Sequence, residues 1–540
     1  MPDFGIMVAM KKTFLSIIVL TGLLVSCNKT TSKPATTYDV VSMQTGYFSS
    51  VSGHYRLLDD DFVVLSPFNT PITGRALSVH GSYDDATYDK MKKEFLNDFA
   101  YCHALLDRHY QYAYYEDENA KSDDRKPLNN VNVINASYGT ETPIKVDDFL
   151  YDVLKKSYEF TINSNLKFNM FLGTINSIYE RKLNRKTLDM TALDTVLTLT
   201  EKALFTEDFD KNEIADAVSK LPTTVEEVQK LLTFDDEKKT VTFHKLEKAD
   251  KIEISLGGNG KGFATEMIAG KLEKEYPKAG FNINSGTSSI KAIGRRPDDK
   301  KWNISYTNPV YQEVLNTPNV QNPYNLAEVS LKHDGEFNLS TSGYYEQYFY
   351  VYDGNDVFTR RNHIIDPLTG YSHQFFDQVS VLIDDTGLAD MYTTAMMNTD
   401  SVEDCVSLFN KLNTIYNEKD ASFILCYKSK LEKPSELFRY SMSDLSVTHM
   451  KNGKKYPTVQ YKNGEKYEGD YSDFDTGSLF DSSNKNYPAT ILASATHAFN
   501  ETYVISSDIK DDFSLLDPNT YSEYIPYPDN IVSRIEVYHD

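Results

Sequence analysis

An aspartate and a threonine lie one helical turn apart in the segment Ala389-Asp390-Met-Tyr-Thr-Thr394. Residues i and i+4 share one face of a helix, so Asp390 and Thr394 can present a carboxylate and a hydroxyl to the same point. These hard oxygen donors suit magnesium held jointly with substrate phosphates. The alternative is a solvated Asp390 with Thr394 bonded back to its own helix.

A glycine-rich segment, Ser255-Leu-Gly-Gly-Asn-Gly-Lys-Gly262, lies between a predicted strand and a predicted helix. Glycines there let the backbone approach a phosphate, and the N-terminus of the helix favours the anion. The segment is not a Walker A loop, because Gly262 follows Lys261 where that motif needs Ser or Thr. Its glycines also lack the spacing of a dinucleotide fingerprint. A simple tight turn remains the alternative.

The third candidate combines Thr341-Ser342-Gly343 with the segment from His363 to Gly370 (His-Ile-Ile-Asp-Pro-Leu-Thr-Gly). The two hydroxyls and the glycine suit hydrogen bonds to a polar ligand. His363, with Asp366 three residues later, could serve as a general base. Residues 366–370 also read as a turn, which leaves a structural role open for His363.

The elements that must position these residues follow from hydrophobic periodicity. Strands are predicted in 39–82, 240–256, 281–306 and 337–358, and helices in 86–110, 146–160, 262–276, 388–397 and 402–412, with residues 185–232 helical in pieces. Asn452-Gly453 and Asn463-Gly464 are hairpin-turn signals. The sequence therefore predicts an α+β protein with mixed sheets, packed helices and a β-rich C-terminal appendage.

Composition narrows the function class. The chain has 540 residues and a formal net charge of −22. This excess of acidic residues argues against nucleic acid as a partner, because phosphate binding needs clustered cations. Hydrophobic residues at 40% and charged residues at 25% are ordinary globular usage.

The N-terminus indicates export. Lys11 and Lys12 precede an apolar stretch, residues 13–25, that is too short to span a bilayer and reads as a signal segment. It ends at Leu24-Val25-Ser26-Cys27, which resembles a bacterial lipobox and predicts lipidation of Cys27. The alternative is a cleaved signal in which the cysteine is coincidental. Cys102, Cys405 and Cys426 have no spacing that indicates a zinc site or a disulfide framework.

Taken in order, the motifs resemble the FAD:protein FMN transferase (ApbE-like) family. That family shows D-L-G-G-x-A-K-G-Y-A, an N-x-G-G-type strand, T-S-G, H-I-I-D-P-x-T-G and L-A-D-x-x-x-T-A. The chain matches them in sequence order at 255–264, 283–289, 341–343, 363–370 and 388–395, and Phe68-Asn69-Thr70 resembles an early F-D-T strand. Ser255 stands where the family has Asp, and Thr287-Ser288-Ser289 replace a Gly-Asp pair.

The resemblance implies a magnesium-dependent enzyme that splits FAD and transfers FMN to a Thr or Ser hydroxyl of an acceptor protein, releasing AMP. Family roles fall on residues of this chain as follows: magnesium ligands Asp390, Thr394 and the carbonyl of Gly260; flavin-nucleotide contacts Asn69, Lys261, Asn284, Gly286, Thr341, Ser342, Gly343 and His363; catalytic residues His363, as the base for the acceptor hydroxyl, and Asp366, which shapes its site.

The sequence divides the chain into a lipoprotein signal (1–27), a flexible tether (28–38), the transferase domain (39–430) and a β-rich extension of unknown role (431–540). The expected location is extracytoplasmic, with a lipid anchor in a bacterial membrane and an acceptor protein at the cell surface. Two other functions remain open from the same residues. One is a magnesium-dependent FAD pyrophosphatase that uses water, and the other is a lipid-anchored FAD-binding protein without turnover.

Overall fold

The computed structural model describes residues 37–45, 67–114, 126–183, 208–286, 288–294, 296–298, 302–307, 328–333, 336–344, 347–352, 358–373, 375–418 and 421–427, and short strands beyond residue 448. The predicted signal, the lipidation site Cys27 and nearly all of the tether lie outside these residues. No helix within the described ranges is long and apolar enough to cross a membrane.

The strands, numbered in chain order, are β1 Tyr38–Gln44, β2 Ile72–Val79, β3 Ala113–Tyr114, β4 Lys126–Pro127, β5 Ile144–Lys145, β6 Leu232–Asp235, β7 Thr240–Phe243, β8 Ala279–Ser285, β9 Ser289–Ile293, β10 Trp302–Thr307, β11 Glu328–His333, β12 Phe337–Gly343, β13 Tyr348–Tyr352, β14 Phe358–Asn362, β15 Phe376–Leu382, β16 Ser422–Tyr427, β17 His449–Lys451, β18 Lys454–Tyr456, β19 Gln460–Lys462, β20 Glu465–Tyr467, β21 Ala489–Ser494, β22 Val504–Ser506 and β23 Val532–Tyr538. The helices are α1 Asp85–Leu106, α2 Val131–Ala136, α3 Asp148–Asn163, α4 Gly173–Leu183, α5 Lys211–Lys220, α6 Val225–Gln229, α7 Gly260–Glu275, α8 Thr386–Met397 and α9 Val402–Tyr416, with a 3-10 turn at Pro67–Asn69.

The largest sheet in the described part of the chain has nine strands in the order β1-β2-β8-β9-β12-β15-β16-β21-β23. Its pairs are antiparallel except for β21 with β23. Strand β15 is buried along its whole length and β9 likewise, as expected for central strands covered by helices. The order places the polar ends of β8, β9 and β12 side by side.

Helices α7 and α8 pack against each other and against β9, and α8 also packs against β12. Helix α8 is buried almost all round, so it lies in the interior rather than on the surface. Its N-cap is Asp385, whose carboxylate accepts a hydrogen bond from the backbone N–H of Leu388 at 2.9 Å. Helix α1 packs on α7 from the other side, with Phe95 and Phe99 fully buried.

Most predicted elements are confirmed, since the predicted helices occur at α1, α3, α7, α8 and α9. The paired strands predicted over 240–256 are wrong in their second half. Only β7, residues Thr240–Phe243, is a strand, whereas Ile252, Ile254 and Leu256 are buried in an irregular segment with one bridge, Leu172 to Glu253. Their alternation came from packing against the core without a neighbouring strand to pair with.

Both Asn-Gly signals fall between paired strands, because Lys451 pairs with Lys454 and Lys462 with Glu465. The residues described beyond position 448 are all strands, and two of these strands continue the main sheet. Strand β21 pairs with β16, and β23 with β21. The domain boundary at residue 430 stays a prediction.

Candidate active site

The centre of the site is the carboxylate of Asp390 in α8, which is 5% exposed. It accepts hydrogen bonds from the backbone N–H of Gly262 at 2.7 Å and from the Ser289 hydroxyl at 2.8 and 2.9 Å. The hydroxyl of Ser340 also donates to it. Burial raises the pKa of Asp390 to about 6, against the opposing effect of these donors and of Lys261.

The two serines come from neighbouring strands. Ser289 of β9 and Ser340 of β12 are direct cross-strand partners, so the sheet register sets both hydroxyls against the same carboxylate. Sequence reasoning missed both as contacts of Asp390. Ser289 ended one of the quoted motifs and Ser340 directly precedes Thr341, but their juxtaposition depends on a strand register that no motif encodes.

Thr394, one turn after Asp390, faces the glycine-rich segment as predicted. Its hydroxyl lies 3.4 Å from the carbonyl oxygen of Gly258, a long contact compared with the usual 2.7–2.8 Å. The predicted ligand Gly260 is the first residue of α7. The structure therefore brings the Gly258 carbonyl, rather than that of Gly260, against the Thr394 hydroxyl.

The glycine-rich segment is shaped for close approach between α7 and α8. A Cβ on Gly262 would lie 2.4 Å from the carbonyl oxygen of Thr386 and 2.7 Å from Oδ2 of Asp390. Any side chain at 262 would separate the helices and displace the N–H that Asp390 accepts. The packing of the two helices therefore requires glycine at position 262, whether or not a ligand binds there.

The early segment Phe68-Asn69-Thr70 also borders the site. A Cβ on Gly260 would lie 3.4 Å from the Phe68 ring, and one on Gly286 would lie 2.0 Å from the Thr70 hydroxyl oxygen. Gly286 has φ +62°, the left-handed region that favours glycine. The early segment thus lies close to both the glycine-rich segment and the 283–289 motif, whereas the side chain of Asn69 lies outside the described set.

The Thr-Ser-Gly motif ends β12 beside the same helix. The hydroxyl of Thr341 bonds that of Ser380 at 2.7 Å, and the hydroxyl of Ser342 bonds that of Thr393 at 2.8 Å. Both side chains are half-buried, so they line the edge of the site while α8 and β15 hold their hydroxyls in place. Asn284 and Lys261 are half-buried as well.

His363 is exposed to solvent and directly follows β14. Its Nδ1 lies 3.3 Å from the carbonyl oxygen of Gln347, an arrangement in which Nδ1–H donates and Nε2 remains a proton acceptor. Protein atoms around the ring still reduce its hydration. This desolvation, with the positive charge of Lys261, lowers the pKa of His363 to about 4. The imidazole is therefore neutral at physiological pH, as a base must be.

The charge of Lys261 acts on both predicted groups: it lowers the pKa of His363, and it opposes the burial that raises the pKa of Asp390. Lys261, Asp390 and His363 therefore belong to one electrostatic neighbourhood. The structure brings Lys261 together with two residues that lie more than a hundred positions later in the chain.

Asp366 is 3% exposed and organises its own loop. Its carboxylate accepts hydrogen bonds from the Leu368 N–H at 3.0 Å and the Thr369 hydroxyl at 3.1 Å, and His373 Nε2 lies 3.0 Å from it. Burial opposes its ionisation, but the contacts with His373 and the Leu368 N–H outweigh that effect and lower its pKa. These contacts suit a positioning role.

An ion cluster centred on a buried lysine supports α8 from behind. Lys291 of β9, 1% exposed, lies 2.6 Å from a carboxylate oxygen of Glu266 and 2.6 Å from one of Glu336. The other oxygen of Glu266 accepts hydrogen bonds from the Thr386 N–H and hydroxyl, both at 2.9 Å. The first residue of α8 is thereby fixed to α7 and β9. Sequence reasoning did not find this cluster.

Across the described residues, no group of three or more His, Cys, Asp or Glu side chains is arranged to hold a metal ion. The candidate magnesium donors are of another kind: one carboxylate, one hydroxyl and a backbone carbonyl. Such all-oxygen sets suit a cation that keeps several waters and shares its coordination with phosphates. The hydroxyls of Ser289 and Ser340 rotate freely about their C–O bonds, so the carboxylate can exchange one donor for a cation.

Comparison with known proteins identifies the family. The ApbE family model matches residues 101–415, more than half of the chain.

The chain belongs to the ApbE family. No curated protein sequence matches it significantly. Similar solved structures include the ApbE protein of Thermotoga maritima, at 18% identity and a TM-score of 0.46, covering 67% of this chain and 92% of that one. The flavin transferase ApbE of Vibrio cholerae gives 14% identity and a TM-score of 0.46, covering 73% and 95%. The flavinyl transferase ApbE of Pseudomonas stutzeri gives 14% and 0.45, covering 73% and 92%.

Membership in the ApbE family confirms the resemblance drawn from the motifs and the α+β fold class. It makes the chain an enzyme of the flavin transferase class. The matched residues 101–415 contain the glycine-rich segment, the Thr-Ser-Gly motif, His363 and α8. The roles of the individual residues remain proposals.

Proposed function

We propose that this ApbE-family enzyme transfers FMN from FAD to a Thr or Ser hydroxyl of an acceptor protein, with magnesium, and releases AMP. The observation that supports it most is the convergence of Asp390, Thr394 and the glycine-rich segment, with Asp390 bonded to Gly262 and Thr394 against Gly258. A carboxylate, a hydroxyl and a carbonyl then face a helix N-terminus, which favours an anionic pyrophosphate.

The magnesium would be held by Asp390 and Thr394, with a carbonyl of the glycine-rich segment. Bound there, it would neutralise charge on the pyrophosphate, which is the main requirement of phosphoryl transfer. Residues 341–343, with Asn69, Lys261, Asn284 and Gly286, would contact the flavin nucleotide. These residues would be held in place by helices α7 and α8, which pack on the main sheet.

His363 would act on the acceptor. Its Nε2 would take the proton from the acceptor hydroxyl as the hydroxyl oxygen bonds to the phosphorus of the FMN half of FAD. The bond from that phosphorus to the bridging oxygen breaks, and AMP leaves with the oxygen. A positioned base contributes typically about 10²–10⁴-fold in rate. The lowered pKa of His363 keeps it neutral and able to accept the proton.

The acceptor would be a protein at the cell surface, and the enzyme would be anchored in a bacterial membrane through lipidated Cys27. Support for this location is the signal-like segment and the sequence Leu24-Val25-Ser26-Cys27. Incorporation of radiolabelled palmitate into the wild type, and its loss in Cys27→Ser, tests the anchor.

The deciding experiment is incubation of the full chain with FAD, MgCl₂ and a candidate surface acceptor, followed by mass spectrometry of the acceptor and quantification of AMP. An FMN adduct on a Thr or Ser, with one AMP per adduct, supports the proposal. No adduct, with FAD intact, contradicts it.

The exposure of His363 to solvent favours one competing reaction, hydrolysis of FAD by water at the same site. The same incubation separates the two. AMP and free FMN that form at an equal rate without the acceptor indicate a pyrophosphatase, and FAD that binds without AMP release indicates a carrier.

A further inference from the structure

A histidine with no role in the proposed mechanism connects the loop that carries His363 to the end of helix α8. His373 is 14% exposed and bridges two carboxylates, with Nε2 3.0 Å from Asp366 and Nδ1 2.8 Å from Asp400. Asp366 belongs to the loop that begins at His363. Asp400 lies three residues after the end of α8, the helix that carries Asp390 and Thr394.

A second contact runs parallel to this bridge. Asn398, the C-cap of α8, is 1% exposed and donates through its amide to the carbonyl oxygen of Ile365 at 3.1 Å and to that of Lys167 at 3.0 Å. Since Asn398 lies one helical turn after Thr394, the end of α8 is fixed to the centre of the His363 loop.

Hydrogen bonds within the loop restrain its backbone around Asp366. The backbone N–H of Asp366 donates to the carbonyl oxygen of Tyr371 at 2.9 Å, and that of Gly370 donates to the carbonyl of Asp366 at 2.9 Å. The Asn362 N–H donates to the Ser372 hydroxyl at 3.1 Å. A restraint applied to Asp366 is therefore passed on to the residues that flank His363.

We propose that His373, together with Asp400, positions the His363 loop relative to helix α8, so that the base and the proposed metal ligands keep a fixed separation. This rests on the proposed function. Nδ1 of His373 lies within hydrogen-bonding distance of Asp400, whereas Nε2 makes a short polar contact with Asp366 that lacks hydrogen-bond geometry. His373 acts through Asp366 and Asp400, so it is a positioning residue.

The bridge does little for stability. The Asp400 side chain is 73% exposed, and an ion pair with so exposed a partner contributes little to the free energy of unfolding. Its effect should be on geometry, since a displacement of about 1 Å in an active site can cost roughly 10²-fold in rate.

The first experiment measures FMN transfer by the full chain. Asp400→Ala removes only the α8 end of the bridge at an exposed position, so folding should be retained. We expect its kcat to fall by roughly tenfold, within the range for a small misplacement, with the KM for FAD unchanged. His373→Gln, which keeps one donor near Nε2, should lose less kcat than His373→Ala. Glu403→Gln removes an exposed carboxylate three residues from Asp400 and is the matched control.

The second experiment does not depend on catalysis. Hydrogen–deuterium exchange should be faster in the peptide covering 363–373 in Asp400→Ala and His373→Ala than in wild type or Glu403→Gln, with strand β2 unchanged as an internal reference. Wild-type kcat and wild-type exchange in both variants would overturn the positioning role. A lowered melting temperature with unchanged kcat would also overturn it.

The two experiments separate the two proposals. A wild-type enzyme that transfers no FMN contradicts the proposed function, while the exchange measurement still decides whether His373 and Asp400 restrain the loop.

Discussion

Replacing Asp390 by asparagine should make the protein more stable while it destroys transfer activity. The structure buries this carboxylate at 5% exposure and raises its pKa from 3.8 to about 6. A shift of about two units corresponds to about 3 kcal/mol, at 1.36 kcal/mol per unit. That is the free energy by which the folded state disfavours the charged side chain.

The sign of the pH dependence follows from linkage. Because the folded-state pKa is raised, the stability associated with protonated Asp390 is fully present below about pH 3.8 and is lost as the pH rises through about 6. The asparagine side chain of the variant stays neutral at every pH. Its advantage over wild type should therefore be absent near pH 3.8 and reach at most about 3 kcal/mol above pH 6.

Asparagine can keep most of the local hydrogen bonds. Its carbonyl can accept from the Gly262 N–H, and its amide can donate to the hydroxyls of Ser289 and Ser340, which accept as well as donate. It removes the one negative charge among the three proposed magnesium ligands. We therefore expect the melting temperature without metal to rise at pH 7.5 and magnesium-dependent AMP release to be abolished.

The measurement is a pair of urea unfolding curves for wild type and Asp390→Asn at pH 7.5 and again near pH 4, with AMP release from FAD measured alongside. Added MgCl₂ with FAD should raise the wild-type midpoint and leave that of Asp390→Asn unchanged. Glu403→Gln serves as the control for loss of an exposed carboxylate. Normal turnover in Asp390→Asn would refute the metal assignment, and a variant less stable than wild type at pH 7.5 would refute the reasoning from burial.

Three further changes test other parts of the site. Thr394→Val should lower kcat less than Asp390→Asn does, because it removes a neutral donor, and Thr394→Ser should restore activity; equal losses in Thr394→Val and Thr394→Ser would contradict this. His363→Asn should lower transfer about 10²–10⁴-fold while FAD binding, followed by fluorescence titration, stays within twofold; in wild type, transfer should fall as the pH drops through about 4, where His363 becomes charged. Gly286→Ala should destabilise the fold, measured by the midpoint of thermal unfolding, since its Cβ would lie 2.0 Å from the Thr70 hydroxyl oxygen at φ +62°; an unchanged midpoint would show that the Thr70 segment moves aside freely.

The parts of the site that the sequence predicted are those set by local spacing. Asp390 and Thr394 face the glycine-rich segment because they lie four residues apart on a helix and that segment begins another helix. The four-residue spacing is a local relation that a motif encodes, whereas the contact between the two segments depends on the packing of α8 against α7 and was expected from the family resemblance.

The missed parts depend on relations between distant strands. Ser289 and Ser340 meet at Asp390 because β9 pairs with β12 in one particular register, and a shift of one residue would turn both hydroxyls away. Lys291 likewise reads as a polar residue in a strand until the fold places Glu266 and Glu336 beside it. The strand predicted at 252–256 is wrong for a related reason. An alternating pattern indicates that one face of a segment is buried, but it does not show that the segment pairs with another strand.

Glycine at two positions lets helices α7 and α8 pack in very close contact. Beyond the contact at Gly262, a Cβ on Gly387 would lie 2.2 Å from the ring of Phe263, so each helix seats a glycine against the other. Helices α7 and α8 therefore cannot slide or move apart without losing these close contacts. We expect the surface formed by these two helices, against which we propose the pyrophosphate binds, to keep one shape through the reaction cycle.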